Sequence, residues 1–99
     1  MAFLRMAFFP DGSDHHWRRV VAAVGDRLPP EGRLAFAAGP VEGGWQVVQL
    51  WDSLQDLDDF NRDVFLPAMR QLGSDGFPKP PVVTDVHPVD AWIGQRRLK

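Results

Sequence analysis

The sequence predicts a single small α+β domain of the ferredoxin-like type, with the element order β-α-β-β-α-β. Apolar runs bounded by turn residues alternate with stretches of helical periodicity, and the first and third predicted strands are apolar on both faces. In this topology those two strands are the central pair of a four-stranded antiparallel sheet with two helices on one face. The length of 99 residues suits one core, so we expect one domain over residues 1–99.

The first half of the predicted fold contains three strands and one helix. Ala2–Phe9 carries apolar residues on both faces, as a central strand does. Ser13 is a suitable N-cap, and apolar residues at helical spacing then predict a helix over Asp14–Arg27. The short strand Leu34–Ala38 and the apolar strand Trp45–Trp51 follow, joined by a glycine-rich hairpin.

The second half contains the second helix and the last strand. Ser53 is its predicted N-cap, and an apolar stripe continues to Leu72. Pro67 cannot donate a backbone hydrogen bond, so we expect a kink or two stacked short helices there. Val82–His87 is predicted as the last strand, and Pro88–Lys99 forms a tail.

The double-faced apolarity of the central strands also predicts a partner. Two helices cover only one face of a four-stranded sheet, and the other apolar face needs a second cover. A second copy of the same sheet supplies one, so we expect a homodimer that packs sheet against sheet.

Composition excludes several classes of function. The chain has no cysteine, and its three histidines show no metal-binding spacing, so we expect no metal site. The net charge is −2, and Arg96, Arg97 and Lys99 form the only basic run, which disfavours nucleic acid as a partner. No apolar run is long enough to cross a membrane or form a signal peptide. We therefore expect a soluble, cytoplasmic protein.

The aromatic content points to a core or a pocket. Four Trp and seven Phe occur without any Tyr, and such rings either fill a core or surround a flat apolar ligand. A cavity between sheet and helices is our prediction, because the second strand has small side chains; a tightly filled core is the alternative. The residues expected around it lie on the inward stripes of the helices and on a central strand: Trp17, Trp51, Phe60, Phe65 and Met69.

Two polar residues on the central strands are candidate contacts for a ligand. Arg5 lies among apolar neighbours, and a buried guanidinium requires a partner. An ion pair with Asp85 of the adjacent last strand and a contact to an anionic ligand are both open interpretations. Gln49 shares a face with Trp51 and must find hydrogen bonds from the backbone or from a ligand.

Asp85 and His87 are a candidate acid–base pair. They lie two residues apart on one strand, so their side chains share a face, and a carboxylate can orient an imidazole as a general base. The alternative is that His87, which precedes Pro88, is an exposed residue at the end of the strand.

The pattern of the chain resembles the dimeric α+β barrel superfamily, and within it the antibiotic-biosynthesis-monooxygenase-like proteins. The residues that carry the resemblance are Gly43–Gly44–Trp45, the strand Val47–Trp51, Asp52–Ser53, Phe60 and the Phe65–Leu66–Pro67 turn. The resemblance implies a homodimer with a pocket between sheet and helices in each protomer. It also implies one of several activities, among them cofactor-free oxidation of aromatic polyketides, haem degradation, isomerisation, cyclisation and ligand sensing.

The chain departs from two better-known branches of this superfamily. Quinone-forming members resemble one another in pocket Tyr, Trp, Asn and Arg residues, and this chain has no Tyr. Haem-degrading members share an Asn on the first strand and a His on a helix. Here the only Asn is Asn61 and the second helix has no His, so haem is disfavoured and we expect no cofactor.

The function predicted from the sequence is that of a small-molecule enzyme in secondary metabolism. It would oxidise or cyclise an aromatic or polyketide-like compound without a cofactor; a non-catalytic barrel that binds such a compound is the alternative. The predicted catalytic residues are His87, Asp85 and Arg5, and the predicted ligand-binding residues are Gln49, Trp51, Trp17, Phe60, Phe65 and Met69.

Overall fold

A computed structural model describes residues 1–98 of the chain, and Lys99, the last residue of the predicted basic run, lies outside the described residues. The regular elements are β1 (Phe3–Pro10), α1 (Asp14–Val24), β2 (Arg33–Val41), β3 (Gly44–Trp51), α2 (Leu54–Phe60), α3 (Leu66–Leu72), β4 (Val82–Val86), β5 (Trp92–Ile93) and β6 (Arg96–Arg97). No helix among residues 1–98 is long and apolar enough to cross a lipid bilayer.

The main sheet has the strand order β2-β3-β1-β4, and each neighbouring pair is antiparallel. This order confirms the ferredoxin-like prediction, including the central position of β1 and β3. The tail, for which the sequence predicted no structure, forms a separate hairpin of β5 and β6.

The helices cover one face of the sheet. On this face Phe3 pairs with Trp51 and Phe9 pairs with Trp45, and all four side chains are buried. Two apolar clusters, one around Trp45 and one around Trp51, therefore form at opposite ends of the central strands. The middle of this face, between the clusters, is where polar residues of β1 and β3 lie.

The helices α1 and α2 each begin directly after the serine that the sequence predicts as the N-cap. The Ser53 hydroxyl accepts a hydrogen bond from the Asp56 backbone N–H at 3.1 Å. At Ser13, the backbone N–H donates to Nδ1 of His16 at 3.1 Å, so the imidazole helps to cap α1. His16 therefore has a structural role at the helix start.

The second helical region is continuous, but its hydrogen bonding changes in the turn before Pro67. Residues 61–65 form a π-helical segment in which the Leu66 backbone N–H donates to the Asn61 carbonyl, five residues earlier. The backbone stays in the right-handed helical region at both junctions, so the run is one helix with a wide turn. Of the two alternatives predicted at Pro67, a kink or two stacked short helices, the second is therefore wrong. The proline, which lacks an N–H, accounts for the position of the irregularity.

The strand β2 is longer than predicted, because its pairing with β3 continues through Gly39 and Pro40, which an edge strand tolerates. A β-bulge lies at its start: Arg33 pairs with Trp51, and the next pairs involve Ala35 and Phe36. The extra residue shifts the alternation, so Arg33 and Phe36, three positions apart, both lie on the helix-covered face.

No helix of residues 1–98 covers the opposite face of the sheet. It carries apolar side chains of β1 and β3 that are only partly buried: Leu4, Met6, Phe8, Val48 and Leu50. On the edge strand β4, Val82 is 59% exposed and Val86 is 40% exposed.

Candidate functional site

A cavity of about 360 Å³ lies between the helix-covered face of the sheet and the helices. Small-molecule sites in proteins have volumes from roughly 300 to 1,000 Å³, so this cavity suits a compact ligand. Most of its lining is apolar and includes Ala7, Trp17, Val47, Phe60 and Phe65. Val83 and Leu66 also line it and are 46% and 49% exposed, so the cavity opens to solvent.

The polar side chains of the cavity are hydrogen-bond donors or amides. They are Arg5, Arg33, Gln49 and Asn61, and no Asp or Glu of the described chain lines the cavity. Two of them belong to a row across the middle of the sheet, in which Gln49 pairs with Arg5 and Arg5 pairs with Asp85. The register of the central strands therefore places a guanidinium and an amide side by side under the cavity.

Arg5 forms a bidentate ion pair with Asp85. Its Nε and Nη2 donate to the two carboxylate oxygens at 2.8 and 3.0 Å. These hydrogen bonds lower the pKa of Asp85 and raise that of Arg5, against the opposing effect of burial. The predicted ion pair with Asp85 is confirmed, and Arg5 also lines the cavity, so the contact to an anionic ligand stays a prediction.

Trp51 orients Gln49. The indole Nε1–H donates to Oε1 of Gln49 at 3.0 Å, while the Trp51 ring is 0% exposed within the core cluster of Phe3 and Leu57. The bond directs the amide oxygen of Gln49 toward Trp51, so the NH₂ group is the end that remains for a ligand. Trp51 itself is not part of the cavity lining.

Of the five predicted aromatic and thioether contacts, three line the cavity, whereas Trp51 and Met69 do not. Trp17 lies on the α1 side, and Phe60 and Phe65 lie on the second helical region with ring centroids 6.4 Å apart. Met69 packs against the buried cluster of Val20, Val24 and Ala68 and is not part of the lining.

Asp85 and His87 both lie outside the cavity lining. His87 is exposed, and its ring contacts the edge of Phe3 with centroids 5.0 Å apart. The strand β4 ends at Val86, one residue before the predicted end, so His87 lies outside the strand and directly before Pro88. Since Arg5 holds Asp85 ionised, with a lowered pKa, that carboxylate is a poor base at neutral pH.

Arg33 and Asn61 also line the cavity, although the sequence pattern predicted no site role for either residue. Arg33 reaches the cavity through the β-bulge, and strand alternation alone does not reveal such a shift. Asn61 is the first residue of the π-helical segment and lines the cavity. In the sequence, only Pro67 signalled an irregular turn in this helix, and π-helical turns recur at functional sites. Among residues 1–98, no three His, Asp or Glu side chains come close enough together to hold a metal ion.

No protein-family model matches the chain, and no curated protein matches it significantly. Solved structures do. Rv0793 from Mycobacterium tuberculosis aligns over 92% of this chain and 98% of its own, with 18% identity and a TM-score of 0.68. A candidate antibiotic biosynthesis monooxygenase from Caulobacter crescentus aligns over 89% of this chain and 90% of its own, with 18% identity and a TM-score of 0.68.

A third solved structure is that of a monooxygenase from the gene ActVA-Orf6 of Streptomyces coelicolor, in complex with the ligand nanaomycin D. It aligns over 95% of this chain and 93% of its own, with 26% identity and a TM-score of 0.59. The chain therefore has the fold of the antibiotic-biosynthesis-monooxygenase-like proteins, as the sequence predicted.

Proposed function

We propose that the chain is an enzyme that acts on an aromatic or polyketide-like compound in this cavity, by oxidation with molecular oxygen and without a cofactor. The observation that carries the proposal is an apolar, ring-lined cavity with few polar side chains, which lie on the sheet and on the second helical region: Arg5, Arg33, Gln49 and Asn61. Such an arrangement holds a flat ligand by its rings and orients it by a few hydrogen bonds. The similarly folded monooxygenase whose structure contains nanaomycin D supports the same substrate class.

The polar groups of the cavity favour a substrate that supplies its own electrons. The guanidinium of Arg5 and the NH₂ of Gln49 are donors, which stabilise negative charge on a phenol or enol oxygen. An ionised phenol can reduce oxygen directly. One atom of the oxygen molecule then forms a new carbonyl on a ring carbon of the substrate, which becomes a quinone. The other atom leaves as water, and its two hydrogens come from that ring carbon and from the hydroxyl group. The substrate provides all four electrons, so no external reductant is required.

Oxygen consumption tests this proposal. With a panel of hydroxyanthrones, we expect one oxygen molecule to be consumed for each quinone formed, without added reductant or metal. The variant Gln49→Leu should lower the rate about 100-fold, since one donor to the developing oxyanion is lost. The matched control is Gln71→Leu, an exposed residue of α3, which should keep the rate of the unaltered protein. Equal rates in the two variants would contradict the assignment of Gln49.

A module that binds such a compound without converting it is the second candidate. The cavity lining contains no side chain that ordinarily titrates near neutral pH, which fits a binding role as well as catalysis on an acidic substrate. Saturable binding of the panel with no oxygen consumption would favour this second function.

We also propose that two chains pack through the uncovered sheet face. The partly buried side chains of that face, among them Met6 and Leu50, form an apolar surface that a second sheet would cover. Sedimentation at micromolar concentration should give about twice the chain mass of 11.2 kDa. Leu50→Lys should return the protein to single chains, whereas Val89→Lys, at a residue that is 98% exposed, should not. A single-chain mass for the unaltered protein would refute the proposal.

A further inference from the structure

Arg33 differs from the other arginines in its surroundings. Within residues 1–98, five arginines pair with aspartates: Arg5, Arg18, Arg19, Arg62 and Arg97. Arg27, Arg70 and Arg96 form no such pair among the described residues and are exposed. Arg33 is half-buried, lines the cavity and has no carboxylate within 4.0 Å in the described chain. A half-buried charge without a partner costs free energy unless a ligand supplies one.

The electrostatics of Arg33 agree with an unpaired cation. Burial lowers its pKa, and no neighbouring carboxylate opposes that effect, in contrast to the raised pKa of Arg5. Arginine nonetheless stays protonated at neutral pH. The cavity therefore contains one guanidinium neutralised by Asp85 and a second that is not neutralised, in a chain with a net charge of −2.

The aromatic neighbours of Arg33 fix its position relative to the cavity. Its guanidinium carbon lies 4.1 Å from the ring centroid of Phe36, a cation–π contact. Phe36 in turn stacks on Trp17, with centroids 5.6 Å apart and an interplanar angle of 21°. All three residues line the cavity, so the guanidinium and the two rings form one continuous part of its wall.

We propose that Arg33 binds an anionic oxygen of the ligand, so that the site selects flat aromatic compounds that carry a carboxylate or an ionised hydroxyl group. The inference rests on the proposed function, since it takes the cavity as the ligand site, and it adds the charge of the ligand. A guanidinium matches a carboxylate with two parallel hydrogen bonds, which gives it both strength and direction. Arg5 is less suited to this task because Asp85 already occupies two of its donors.

A pair of probes that differ in one charged group tests the inference. The probes are 1-hydroxy-2-naphthoate, an anion at pH 7, and 1-naphthol, which is un-ionised at that pH; quenching of tryptophan fluorescence reports binding. Arg33→Met should weaken the naphthoate about 10- to 100-fold and leave the naphthol within about 2-fold. Arg27→Met removes the same charge at an exposed site and should leave both affinities unchanged.

Two further measurements separate ligand binding from a structural role of Arg33. The melting temperature of Arg33→Met without ligand should change little, because loss of the cation–π contact with Phe36 is offset by removal of a half-buried charge that has no carboxylate partner. Arg33→Lys should retain part of the preference for the naphthoate, since it keeps the charge but not the planar fork.

The outcomes distinguish the inference from the function on which it rests. Two outcomes would overturn the role of Arg33 and leave the cavity as a ligand site. In the first, the unaltered protein binds both probes with equal affinity; in the second, Arg33→Met weakens the binding of both probes equally. If neither probe binds to the protein, both the role of Arg33 and the cavity as a ligand site are overturned.

Discussion

Substitution of Trp51 by alanine is expected to lower the free energy of unfolding by about 3 to 5 kcal/mol. Trp51 is the largest fully buried side chain of the described chain and packs with Phe3 and Leu57. A domain of this kind has a total stability of only about 5 to 15 kcal/mol, so the variant should unfold at much lower urea concentration.

The control for Trp51 is the exposed tryptophan of the tail hairpin. Trp92 is 52% exposed, and Trp92→Ala should cost about 1 kcal/mol or less. Trp51→Phe should keep most of the packing but lose the donor to Gln49, and so reduce ligand affinity more than stability. Similar urea midpoints for Trp51→Ala and Trp92→Ala would show that the core is not where the structure places it.

The second large effect is expected from closing the cavity. Ala7 is 8% exposed, lies in the middle of β1 and lines the cavity, with Val47 and Val83 as its strand partners. Ala7→Phe should place its ring in the space that a ligand would fill and weaken binding of 1-hydroxy-2-naphthoate at least about 100-fold. Stability should change little, because the ring enters empty volume instead of a filled core.

Ala22→Phe on the exposed side of α1 is the matched control, because the same substitution there is outside the cavity lining. Fluorescence titration of both variants provides the comparison. Undiminished binding by Ala7→Phe would mean that the ligand binds elsewhere on the protein.

The fold was predictable because its signals are local and repeated. Alternation in β1 and β3, and serine caps at both helix starts, each indicate one element, and the element order then allows few topologies. Alternation also predicted that Gln49 shares a face with Trp51, and the strand order predicted the contact of Arg5 with Asp85. Which of the two faces the helices cover did not follow from alternation, because β1 and β3 are apolar on both faces.

The rest of the site depends on deviations from regular geometry. The bulge that directs Arg33 to the cavity and the π-segment that carries Asn61 are single-residue shifts that periodicity does not encode. The small residues of β2 were the reason to predict a cavity, but the residues of β2 in its described lining are Arg33 and Phe36. The small residue of the sheet that borders the cavity is Ala7 of β1. Trp51 and Met69 lie on inward-facing positions, but packing alone determines which inward residues border the empty volume.

The most direct test of the ligand site is a crystal structure of the protein with 1-hydroxy-2-naphthoate. We expect the rings to lie in the cavity against Trp17, Phe60 and Phe65, with the carboxylate hydrogen-bonded to the guanidinium of Arg33. Either of two results would contradict this ligand site. The naphthoate could be bound on the uncovered sheet face, or side chains could close the cavity in the crystal and leave the ligand outside.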